Sequence, residues 1–227
     1  MRSELNKLLF RLARSDIAGY FIGLSFHYLS FLIPVTKVVS NEWVLSFDHP
    51  KPFWEQHFLI VPKRRISTLM SLDLQQPADQ ELVQAILLAA KETASLVGMQ
   101  GYTVVVNGES YQDVPQLHFH VAAGKDENGK LESNKRPEFG ELSNVSNSTN
   151  FWAVHADEVV DNRFRKVFTG RETFDLEDGA AEICDLFCLI HDSVSKVKFA
   201  GFSVRIIPSE HELEESMIAI LAGELIL

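Results

Sequence analysis

The sequence predicts an α+β protein in which one antiparallel-sheet-and-helix unit occurs twice. Three observations lead there. Strand-like and helix-like patterns follow each other in the order strand, strand, helix, strand, strand in two stretches of the chain. The segment GYTVVVNGE at 101–109 is matched by GFSVRIIPS at 201–209, and the same offset of a hundred sets QLHFHVAA at 116–123 beside SMIAILAG at 216–223. A polar tract rich in Gly, Asn and Ser, 125–150, separates the two stretches as a linker or long loop. The expected divisions are an N-terminal helical segment (1–32), a first unit (33–124), the linker (125–150) and a second unit (151–227).

The elements follow in order. Residues 1–27 read as a helix, and 33–48 as a hairpin that turns at Ser40, Asn41 and Glu42 between two β-rich runs. HPKPFWEQ (49–56) holds two prolines and reads as a loop, and HFLIVP (57–62) as a short apolar strand. A helix is expected over 71–97: Pro77 lies near its first turn, apolar residues recur at three and four spacing, and Gly98 ends it. Residues 101–109 form a strand entering a turn, and 116–124 a second strand. In the second unit, EWVLSFDHP (42–50) finds its counterpart in FWAVHADEV (151–159), and the helix around 85–97 its counterpart in 180–194.

Composition bounds the function. The chain has 227 residues, 46% of them apolar, with a formal charge of −10. That sign argues against binding a nucleic-acid backbone. The two cysteines, Cys184 and Cys188, are four apart in a helical pattern and read as reduced core residues, which fits a cytoplasmic compartment. Residues 17–35 form an uncharged apolar run behind a basic start, which raises peripheral membrane contact beside the preferred reading of a helix packed on the domain.

The chemistry concentrates in QLHFHVAAG (116–124). Period-two alternation puts Gln116, His118 and His120 on one face, with the two imidazoles roughly 7 Å apart. Such a pair can bind a metal, act as acid and base, or supply a nucleophile. In the second unit the hundred-residue offset replaces Gln116, His118 and His120 by Ser216, Ile218 and Ile220, which leaves that half structural. Lys63, Arg64 and Arg65 read as a solvated turn, His27, His155, His191 and His211 as surface or core histidines, and Trp43, Trp54 and Trp152 as packing, with Trp54 beside the proposed site.

HFLIVPKRRISTLMSLD, then a helix, then VVVNGESYQDVPQLHFHV resembles the histidine-triad (HIT) superfamily of nucleotide hydrolases and transferases. The resemblance covers roughly 33–124. It implies a HIT-like antiparallel sheet with helices. His118 matches the histidine that attacks the α-phosphate and becomes nucleotidylated. His120 matches the one that contacts phosphate and leaving group, and His57 completes the cluster. Asn107 matches the polar turn residue near the phosphate, and Gln112 and Asp113 stand where the family often has Gln-Ser. Gln116 replaces the first histidine of the triad. The family's ribose-binding acid has Asp48 one position early and His49 in its slot. Asp113 puts a negative charge beside a polyanionic substrate.

An imidazole is partly unprotonated at neutral pH, and neighbouring donors stabilise the negative charge that builds on the non-bridging oxygens when it attacks phosphorus. No metal or other cofactor is required on this reading. A zinc site on the histidines is the competing arrangement, and the surrounding sequence fits the triad better. Family members pair as two-fold dimers, so the second unit is expected to supply that partner within the chain, as a pseudo-dimeric monomer resembling the internally duplicated nucleotidyltransferase branch. The expected function is hydrolysis of a nucleotide phosphoester, phosphoanhydride or phosphoramidate through a nucleotidyl-histidine. The alternatives are nucleotidyl transfer, nucleotide binding without turnover, and a membrane-associated scaffold.

Overall fold

A computed structural model describes residues 36–99, 101–130, 145–155, 157–170, 179–208 and 217–226. The N-terminal helix, the apolar run 17–35, His27, His211 and Ser216 lie outside the described residues. The elements in chain order are β1 (Lys37–Ser40), β2 (Val44–Asp48), β3 (Trp54–Pro62), α1 (Pro77–Leu96), β4 (Thr103–Glu109) and β5 (Phe119–Asp126). There follow β6 (Val145–Ser148), β7 (Trp152–His155), β8 (Glu158–Val160), β9 (Arg163–Gly170), α2 (Ala180–Lys196), β10 (Phe199–Ile207) and β11 (Ile218–Leu225).

The strands form one antiparallel sheet in the order β1-β2-β3-β5-β4-β10-β11-β9-β7-β6, with β8 against β9. The two ends of this sheet share one register. Ser40 opposes Leu45 as Ser148 opposes Ala153, and Val44 opposes Pro62 as Trp152 opposes Gly170, each pair displaced by 108. Thr103 opposes Ala122 as Ser203 opposes Ala222, displaced by 100. At the seam, β4 meets β10 with Val105 directly opposite Arg205.

The helices cover one face. Alternate strand residues such as Val104, Phe119, Val204 and Leu221 point into a core with Leu82 and Ile86 of α1 and Leu186 and Ile190 of α2. Three polar contacts tie the helices down. Ser46 and Thr93 hydroxyls bond at 2.8 Å, Trp152 Nε1–H donates to the Glu182 carbonyl at 2.9 Å, and His191 Nε2–H donates to the Leu69 carbonyl at 3.1 Å.

Several boundaries differ from expectation. The first helix starts at Pro77 rather than 71, because Asp79 accepts the Asp73 amide at 2.6 Å and pairs with Arg64, fixing the preceding residues as a turn. Arg64, exposed in the bend after β3 as expected, thus also anchors the start of α1. At the other end Gly98 (φ 69°) lets the Met99 amide reach the Ala94 carbonyl. Trp54, Glu55 and Gln56 belong to β3, not to a loop. Three strands precede α1 and four precede α2, instead of two each, and Val145–Ser148, expected in the linker, pairs with β7. The comparison of 42–50 with 151–159 is one residue out of step, and a one-residue slip reverses every side chain between faces. Cys184 and Cys188 are free thiols as expected, half-buried rather than buried: they pack against the core and line a groove between the helices.

Candidate functional site

The histidines gather on the face away from the helices. His57 on β3 opposes Ala122, and His120 on β5 opposes Leu59 on one side and Val105 on the other. His118 sits just before β5, and His49 just after β2. Ring centroids of His57 and His120 are 5.1 Å apart, those of His118 and His120 5.0 Å. His49 lies flat on His57, 4.0 Å away and 7° from parallel. The Trp54 and His57 rings stand nearly perpendicular, 84° apart, with centroids at 4.6 Å.

Hydrogen bonds assign the proton on each ring. The Phe53 amide donates to His57 Nδ1 at 3.0 Å, so that nitrogen is an acceptor and the proton sits on Nε2. His57 Nε2 lies 2.9 Å from His120 Nδ1 and donates to it. The His120 proton is thereby placed on Nε2, which is buried without a protein partner among the described residues. His118 behaves differently. Its Nδ1 is 2.8 Å from the Gln116 carbonyl, which can only accept, so Nδ1 carries the proton and Nε2 keeps its lone pair. These three rings thus offer one unprotonated nitrogen, His118 Nε2, and one buried N–H without a protein partner among the described residues, His120 Nε2.

Electrostatics keep these rings neutral. Burial lowers the His57 pKa from its ordinary 6.5 to about 3, helped by the positive charges His49 and His118 would carry. Burial also lowers His120 well below the ordinary value, and lowers His118 and His49. Two opposing influences act on His118: the Gln116 carbonyl and the Asp113 carboxylate both favour its charged form.

The structure distinguishes the remaining expected residues. His49, not Asp48, enters the cluster, since neighbouring strand residues alternate faces and Asp48 is exposed at the end of β2. Asn107 is half-buried opposite Ser203 on the face that carries Val105. Asp113 is exposed but close enough to act electrostatically on His118 and His49. Gln112 Nε2 donates to the Ser67 and Val114 carbonyls at 2.6 and 2.7 Å. The Gln116 side chain points away from the histidine rings and donates to the Pro62 and Arg64 carbonyls; only its main-chain carbonyl serves the site. The Phe53 amide went unforeseen, because a main-chain donor in a proline-containing loop leaves no residue-type signal.

His49, His57 and His120 bring one ligand atom each within 4.8 Å of one another. Both nitrogens of His57 are already engaged, by the Phe53 amide and by His120. A three-histidine metal centre would require one of those bonds to break.

A family model, the HIT domain, matches residues 31–127. An uncharacterized HIT-like protein from Synechocystis sp. is 34% identical over 96 residues, spanning 41% of this chain and 82% of that one. The chain belongs to the HIT family. A solved HIT family hydrolase from Legionella pneumophila is 32% identical and covers 45% of this chain and 93% of its own, with a TM-score of 0.40. A DUF4931 family protein from Bacillus cereus is 7% identical, yet it covers 85% of this chain and 87% of its own with a TM-score of 0.60. This second likeness is one of fold alone. Among the described residues no helix is long and apolar enough to cross a membrane.

Proposed function

We propose that this HIT protein hydrolyses a nucleotide phosphoester, phosphoanhydride or phosphoramidate through a nucleotidyl-His118 intermediate. The observation that carries the reading is the paired tautomers: a bare Nε2 on His118 beside a partnerless Nε2–H on His120. The His118 lone pair attacks the α-phosphorus, a P–N bond forms, and the bond to the leaving group breaks with its electron pair. His120 donates a hydrogen bond to the phosphoryl oxygens as charge builds on them. Water then attacks phosphorus, the P–N pair returns to His118, and a proton is released. No step needs a metal. Asn107, Gln112, Asp113 and His49 line the substrate's approach.

Intact mass after brief mixing with adenylyl amidates, dinucleoside polyphosphates and a sugar nucleotide tests this. A nucleotidyl adduct in the wild type and in His120→Ala, absent in His118→Ala, is the expected result. No adduct and turnover equal to that of His118→Ala would leave a nucleotide-binding protein, a reading that the Asp113 carboxylate beside His118 favours. Adduct transfer to a second acceptor would identify a nucleotidyltransferase.

The shared register of the two sheet ends further supports an internal duplication that makes the chain its own two-fold partner. In the second half Ile218 and Ile220 fill the positions of His118 and His120 and pack with Val167 and Ile207. A monomer by light scattering is the expected result, and a stable homodimer would count against it. A cytoplasmic protein without lipid contact is the companion expectation, tested by liposome flotation.

A further inference from the structure

Two features bear on the leaving group. The first is the locked histidine chain. To act as an acid, His120 would have to lose its Nε2 proton and regain one on Nδ1 from His57. His57 cannot be resupplied, because its Nδ1 faces the Phe53 N–H. His120 therefore stabilises charge but delivers no proton, which suits a leaving group that departs as an anion and not an amine that needs protonation. The second is Arg205. The rung Leu59–His120–Val105–Arg205–Ile220 runs straight across the sheet, so Arg205 rises from the histidine face two strands from His120, about 10 Å away by strand spacing. Its neighbours along that rung are Val105 and Ile220, and burial lowers its pKa from the ordinary value. The opposite flank of the site is aromatic: His49, Phe53 and Trp54.

We infer that Arg205, supplied by the second half of the sheet, binds the anionic leaving group, and that the substrates of the His118 site are phosphoanhydrides. The inference rests on the nucleotidyl-His118 reading. His118 Nε2 forms a P–N bond, the P–O anhydride bond breaks, and its electron pair leaves on the bridging oxygen. The departing phosphate gains one negative charge, which the guanidinium neutralises. The base then lies over the aromatic flank and the leaving phosphate over β10.

Steady-state kcat/KM is measured for diadenosine tetraphosphate and adenosine 5′-phosphoramidate with wild type, Arg205→Lys and Arg205→Met. Faster wild-type turnover of the anhydride, with an Arg205→Met loss of about 10- to 100-fold confined to it and a smaller loss in Arg205→Lys, is expected. A faster amidate, an equal loss on both substrates, or no loss would overturn the inference. If neither substrate shows His118-dependent turnover, the hydrolase reading fails by itself, and binding decides the role of Arg205. Weakened ADP binding in Arg205→Met with adenosine binding unchanged upholds an anion subsite; unchanged ADP binding overturns it.

Discussion

His49 and His57 stack face to face, ring centroids 4.0 Å apart and 7° from parallel. Each ring accepts a main-chain N–H on Nδ1, from Lys51 and Phe53 respectively. The loop that joins β2 to β3 therefore sets two tautomers at once, and both Nε2 protons become donors.

Stability should depend on pH through this cluster. The unfolded chain protonates His57 near the ordinary 6.5, and the folded chain only near 3. The stability contributed by the neutral ring is therefore complete above pH 6.5 and is lost as the pH falls towards 3. Urea midpoints should drop between pH 7 and pH 4, and His57→Gln should flatten that dependence. A wild-type midpoint constant over this range would contradict the assignment.

The roles proposed for His118 and His120 should separate kinetically. Removing the proposed nucleophile in His118→Ala should cost at least about 10³-fold in turnover. His120→Ala removes one donor to the developing charge, for a loss of about 10²-fold in kcat. Equal losses would mean that His120 shares the nucleophilic step.

Gln116 should matter for folding more than for chemistry. Its buried amide donates to the Pro62 and Arg64 carbonyls, and Gln116→Ala leaves them unpaired at a cost of about 1–3 kcal/mol. Its carbonyl still holds His118, so the adduct should form at an unchanged rate. Adduct formation slowed tenfold or more would place the side chain in the reaction.

The seam between β4 and β10 needs Gly108. A Cβ there would lie 2.2 Å from the Phe202 ring, so Gly108→Ala should destabilise the protein by about 1–3 kcal/mol. An unchanged thermal midpoint would show that the ring can move aside.

Much of the site was legible in the sequence. The alternation around His118 and His120 gave their shared face, and the family resemblance carried by the HFLIVPK run gave His57 as a member of the cluster. Gln116 obeyed the same alternation but not its consequence. The strand begins only at Phe119, so the residues before it are free to turn the amide towards the Pro62 and Arg64 carbonyls. The helix start was misplaced because Asp79 acts on Asp73 and Arg64 through space.

By itself the sequence determined the α+β class and the hundred-residue correspondence of the last two strands in each half of the sheet. These follow from local periodicity, which side-chain type and spacing encode directly. Only the tertiary structure decided the proton on each imidazole, the entry of His49 instead of Asp48, and the alignment of Arg205 with His120. Those depend on main-chain donors and strand register, which bring residues far apart in the chain within a few ångströms.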